Sequence, residues 1–122
     1  MTGLVLDAGA LIAVERLDRR ARAVLAERTG PVVIPAPVLA QVWRDGARQI
    51  RLARFIQTRG TTVEAFDGLE ARAAGVLLGR SGTSDVVDAS VVLSARRHKA
   101  RVRTSDPDDL RRIDPDLAIE VL

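Results

Sequence analysis

Short apolar runs alternate along this chain with longer stretches whose apolar residues recur at helical spacing. Gly3–Leu6 is one such run. It ends at Asp7 and reads as a buried parallel strand. Asp7-Ala8-Gly9-Ala10 is then a strand-to-helix turn, and a helix begins over Leu11–Arg16. A second helix is expected over Arg19–Arg28, with Ala21, Val24 and Leu25 as its apolar face and Thr29-Gly30-Pro31 as its stop. Val32-Val33-Ile34 is the next strand. Pro35 and Pro37 break it, and Pro37 suits the first turn of a helix over Val38–Asp45 that ends near Gly46. Ala47–Arg59 reads as another helix, closed by Gly60, and Thr61-Thr62-Val63 as a short strand. Asp67–Gly79 places Leu69, Ala73, Val76 and Leu77 at helical spacing.

The sharpest feature lies in Thr83–Ala95. Ser84 fits an N-cap and Asp85 the first turn, where a carboxylate meets free backbone N–H groups. Asp88, Val91, Val92 and Ala95 follow at helical spacing, so a carboxylate stands on the stripe that should be buried. That is costly unless a cation or a hydrogen bond meets it. The helix runs to about His98. Ala100–Thr104 is a strand, Ser105-Asp106-Pro107 a turn, Asp108–Ile113 a short helix and Leu117–Leu122 a final strand. Strands alternating with helices predict one α/β domain over residues 1–122 with a mainly parallel sheet. Sites in such folds form outside the carboxyl ends of the strands. Asp7, Asp85, Asp88 and Asp106 would all fall at that edge.

Several carboxylates brought together repel unless some protonate or a cation neutralises them. All-oxygen ligation suits Mg²⁺ or Mn²⁺ with several waters retained. A metal so held activates water and stabilises charge on a phosphoryl oxygen, which points to phosphodiester hydrolysis. Each acid has a plainer explanation. Asp7 ends a strand and caps a helix, Asp85 is a helix-start charge, and Asp106-Pro107 is a common turn pair. Asp108 and Asp109 fit as helix-start acids. Asp88 is the hardest to explain in that way.

Composition narrows the field. The 122 residues are 47% apolar and 29% charged, as in an ordered globular chain. Cysteine is absent, which excludes disulfides, zinc–thiolate sites and thiol nucleophiles. With two Phe, one Trp and no Tyr, base stacking on aromatic platforms is not expected to drive nucleic-acid binding. The formal charge of +3 permits a nucleic-acid partner without requiring one. No basic leader precedes Leu4-Val5-Leu6, and no apolar run approaches the roughly 20 residues that span a bilayer. A cytoplasmic location and no membrane association are the expectation.

The densest positive run is Arg96-Arg97-His98-Lys99-Ala100-Arg101-Val102-Arg103. It is either a solvated surface at a helix C-terminus or a phosphate-binding strip beside the acids. In the second case Arg96, Arg97, Lys99 and Arg101 would bind substrate. Arg44, Arg48, Arg51 and Arg54 carry the same ambiguity. Nothing marks His98 as a catalytic base. Trp43 shares a face with Leu39 and Val42, which favours packing over substrate stacking.

Three blocks together resemble a PIN domain, and more narrowly a VapC-type toxin ribonuclease. They are Leu-Val-Leu-Asp-Ala-Gly-Ala around Asp7, Asp88-Ala89-Ser90-Val91-Val92, and Val102-Arg103-Thr104-Ser105-Asp106. The resemblance covers nearly the whole chain in order. It implies a three-layer α/β/α sandwich, Mg²⁺- or Mn²⁺-dependent cleavage of RNA, a homodimer, and a cognate antitoxin protein as partner. By position, Asp7, Asp88 and Asp106 match metal-binding acids, and Asp85, one turn before Asp88, would join them. Thr104 and Ser105 match the polar residues that precede the last acid and would position a water or an acid, with Ser105 also expected to bind substrate. One block departs: Gln41 stands where the family usually has Glu. Asp45, four residues on and expected on the same helical face, would partly restore the charge. The rival reading is the same fold with weak or lost catalysis, acting through RNA or a partner protein. A phosphoacceptor receiver domain fits poorly, because Val32–Ile34 ends in Pro35 rather than an acid and no Lys follows the strand before Asp106.

Overall fold

Leu4, Val5 and Leu6 have no solvent exposure at all, because their strand is the middle of the sheet and is covered on both faces. The computed structural model describes residues 3–16, 19 and 30–122. Five strands are described: β1 (Leu4–Leu6), β2 (Val32–Pro35), β3 (Thr61–Glu64), β4 (Arg101–Thr104) and β5 (Ile119–Val121). They form one sheet in the order β3-β2-β1-β4-β5, with every pair parallel. Leu4 lies opposite Val32 on one side and Arg101 on the other, and Leu6 lies opposite Arg103.

Six helices are described: α1 (Ala8–Glu15), α2 (Ala36–Val42), α3 (Ile50–Ile56), α4 (Gly68–Ser81), α5 (Val86–His98) and α6 (Pro107–Ile113). α1 packs on α2 and α3, while α4 and α6 pack on α5. The result is an α/β/α sandwich. The stripe expected on α5 is present: Val91, Val92 and Ala95 are buried, together with Ala89. The helix expected over Arg19–Arg28 falls, apart from Arg19, outside the described residues. No described helix is long and apolar enough to cross a membrane.

Several element ends are corrected: the first helix begins at Ala8 rather than Leu11, and the helix expected over Ala47–Arg59 is Ile50–Ile56. The N-cap of α5 is Asp85 rather than Ser84: its carboxylate accepts the Asp88 backbone N–H at 3.0 Å. The helix expected to reach Asp45 stops at Val42. There the Gln49 side chain locks a turn, accepting the Arg44 and Asp45 N–H groups at 2.7 and 3.0 Å and donating to the Val42 carbonyl at 2.9 Å. Gly46 sits under the Trp43 ring, where a Cβ would come within 2.8 Å of it. Asp45 therefore lies beyond the helix, capping Ala47 N–H at 3.0 Å, and is not on the helical face of Gln41. Trp43 packs as expected, lining a shallow apolar groove with Leu39 and Ile56.

Candidate active site

β1 delivers Asp7 to the carboxyl edge of the sheet, and its neighbour β4 delivers Thr104, Ser105 and Asp106 beside it. Strand order reverses between β1 and β4, since one leads outward to β2 and the other to β5. Open parallel sheets form their ligand crevices at such a reversal. Asp7 is also the N-cap of α1. One carboxylate oxygen accepts the Ala10 N–H at 3.0 Å, and the other accepts the Thr104 hydroxyl. The oxygen of Thr104 in turn accepts the Asp106 N–H at 2.8 Å. Thr104 is completely buried, and its single hydroxyl proton is committed to Asp7. The two strand-end acids are thus tied through one hydroxyl. Gly9 lets Ser105 close over the start of α1, because a Cβ at position 9 would collide with the Ser105 hydroxyl.

α5 brings in the other acids. Burial raises the pKa of Asp88 to about 6, helped by the charges of Asp85, Asp109, Asp7 and Asp106. Asp7 is also raised, first by burial and then by Asp106, although its hydrogen bonds from Thr104 and Ala10 oppose the shift. The acids from β1, β4, α5 and α6 therefore feel one another as charges. Beside Asp88 opens a cleft of about 320 Å³ lined by Thr83, Ser84, Asp85, Asp109 and Arg112. Asp109 is the helix-start acid that its position after Pro107 predicts, but α6 also brings its charge to bear on Asp88.

Among the described residues, no three acidic or His side chains stand close enough to clasp one ion directly. The donors nonetheless suit a hydrated Mg²⁺ or Mn²⁺. All are oxygens, their charges are mutually unfavourable, and Mg²⁺ ordinarily keeps several waters and takes only one or two carboxylates. Asp7, Asp88 and Asp106 are the side chains that could hold such an ion through its waters, with Asp85 at the margin.

The basic run lies elsewhere. It occupies the far end of α5 and the amino end of β4, roughly 15 Å along the helix from Asp88. Arg96 pairs with Asp114 at 2.9 Å, and Arg97 bridges Glu64, at 2.6 Å, and Glu70. His98 hydrogen-bonds Glu64. Burial pushes the Glu64 carboxyl up, but the bond from His98 and the charges of His98 and Arg97 hold it below its ordinary value. Arg103 is buried beside Glu120 at 3.6 Å. Lys99 and Arg101 are exposed at the same far end. Arg96, Arg97, Lys99 and Arg101 are therefore not placed beside the acids. Gln41 is exposed in the last turn of α2, with no hydrogen bond to the acids among the described residues.

A parallel sandwich whose strand reversal gathers carboxylates defines a class of α/β proteins with an acidic crevice at the carboxyl edge. The PIN domain family model matches residues 4–115, and the chain belongs to that family. Solved structures of similar shape include VapBC2 of Rickettsia felis bound to a promoter DNA fragment, at 18% identity, TM-score 0.75 and 98% coverage of both chains. A toxin–antitoxin complex from Klebsiella pneumoniae matches at 16% identity and TM-score 0.71, covering 98% of this chain and 95% of that one. The sarcin–ricin loop cleaving toxin VapC20 of Mycobacterium tuberculosis matches at 19% identity and TM-score 0.66, covering 84% and 87%. Among curated proteins, none matches.

Proposed function

We propose that the protein is a Mg²⁺- or Mn²⁺-dependent endoribonuclease of the VapC type, acting in the cytoplasm and restrained by a cognate antitoxin. The observation that carries this reading is the Asp7–Thr104–Asp106 hydrogen-bonded chain with Asp88 facing it in charge. A divalent ion bound there supplies an activated water and offsets charge on the phosphoryl group. Thr104 holds the Asp7 carboxylate in place, Asp88 and Asp106 supply the facing charges, and Ser105 lies at the rim toward substrate. Two of the similar structures are toxin–antitoxin complexes, which supports an antitoxin partner. Leu69 and Val76, 73% and 55% exposed on α4, support a homodimer, since apolar side chains so exposed favour a covering surface.

The test is cleavage of single-stranded RNA. Wild-type protein is expected to cut RNA with Mg²⁺ or Mn²⁺ and not in EDTA, and Asp88→Asn and Asp106→Asn to lose at least a hundredfold, as expected when an electrostatic group at the reacting centre is lost. Metal-independent cutting, or full activity in both variants, sinks the reading. The exposed amide of Gln41 favours a second reading, a PIN-fold protein that binds RNA or a partner without cutting. RNA binding with no cleavage in any metal would select it.

A further inference from the structure

RNA approaching the acid edge meets several carboxylates before it meets any metal, so a cation of the protein's own has to steady its phosphates. The basic side chains picked out by sequence do not serve. Arg96 is held by Asp114 and Arg97 by Glu64 and Glu70, both at the far end of α5. Arg103 is buried. Among the described residues, the basic side chain that lines the cleft beside Asp88 is Arg112 on α6. Its side chain is 71% exposed, and its link to Asp109, itself 53% exposed, is a long 3.7 Å. An exposed ion pair of that length is worth little, so the guanidinium is free to exchange a carboxylate for a phosphate. The loop residues Thr83, whose hydroxyl also bonds that of Ser81 at 2.9 Å, and Ser84 line the same cleft with hydroxyl groups that suit ribose and phosphate oxygens. The cleft, at about 320 Å³, has room for about one nucleotide.

We infer that Arg112 is a substrate-positioning residue that grips an RNA phosphate next to the one being cut, seating the adjoining nucleotide in the cleft between α5 and α6. This inference rests on the ribonuclease reading above. The geometry gives the phosphate a fork of N–H donors that Lys would replace only as a point charge. Arg111, its neighbour on α6, is exposed but does not line the cleft, and serves as the control.

The experiment measures binding of a short single-stranded RNA in EDTA across a salt series, and KM and kcat with Mn²⁺, for wild type and single variants. Arg112→Ala is expected to bind about tenfold more weakly. Its slope of log affinity against log salt should be shallower by about 0.7, one phosphate contact on a single strand. KM should rise while kcat changes little. Arg112→Lys should restore the salt slope but only part of the affinity, and Arg111→Ala should match wild type. Arg112 is mostly exposed, so all variants should melt as wild type does. If wild type cuts RNA and Arg112→Ala binds and cuts equally well with an unchanged slope, the inference falls and the ribonuclease reading stands. An equal loss in Arg111→Ala also overturns it, because the effect is then general charge. If wild type neither binds nor cuts RNA, the ribonuclease reading itself fails.

Discussion

Burial of the Asp88 carboxylate, together with the charges of Asp85 at the start of its own helix, Asp109 on α6 and Asp7 and Asp106 at the strand ends, makes stability depend on pH. In the folded chain Asp88 holds its proton up to about pH 6, against an ordinary value of 3.8. Ionisation between those values therefore costs the folded state more than the unfolded one. The penalty is absent below the unfolded pKa of 3.8, grows as pH rises from there and is nearly complete above about pH 6. Asp88→Asn removes it. Thermal melts in EDTA should show the variant more stable than wild type at pH 7.5, with the gap closing toward pH 4. A constant gap would mean that the effect is not the titration of this carboxylate. Asp88 was legible in the sequence because helical spacing put a charge among Val and Ala. Asp109 was not, since adjacent first-turn acids look alike until packing of α6 on α5 selects one of them.

At the scale of the element, α5 ends on Lys99 with φ 50, a left-handed conformation that costs a residue with a Cβ about 1 kcal/mol and glycine almost nothing. Lys99→Gly should therefore stabilise the protein by about 1 kcal/mol in denaturant unfolding. Lys99 stands at the far end of the helix from Asp88, so RNA cleavage should be unchanged. Loss of cleavage would return Lys99 to the substrate path. Helix interiors were readable from periodicity, and α5 came out to its last residue. The ends of α2 and α3 did not, because a side chain decides them. Gln49 reaches back to Val42 and gathers the backbone N–H groups of Arg44 and Asp45, a contact that local propensity does not encode.

For the whole molecule, a parallel sheet with its acids at one edge followed from the alternation of strands and helices. The strand order did not, and it is the order that puts Asp7 next to Thr104. Nor did the sequence show which arginines were already paired, since Arg97 meets acids more than 25 residues away in the chain. At this scale Gln41 carries the test of how the edge is completed. α2 leaves β2 at the same edge, and Gln41 stands there where the family usually has Glu. Gln41→Glu should then tighten Mn²⁺ binding. A tenfold gain is about 1.4 kcal/mol, read as an extra rise in melting temperature on the order of 4 °C with saturating metal. Equal responses in the two proteins would place Gln41 outside the site.

The central position of β1 has a consequence for the chain while it is being made. Asp7 and its strand are made before β4, yet one flank of β1 is closed only by β4, about a hundred residues later. Until then Leu4-Val5-Leu6 is an apolar edge with an open row of N–H and C=O groups, the kind of edge that recruits other chains. The Thr104 hydroxyl that fixes Asp7 arrives with the same late strand. A chain that stops short of β4 therefore has no assembled acid crevice, because both Thr104 and Asp106 are still missing from beside Asp7.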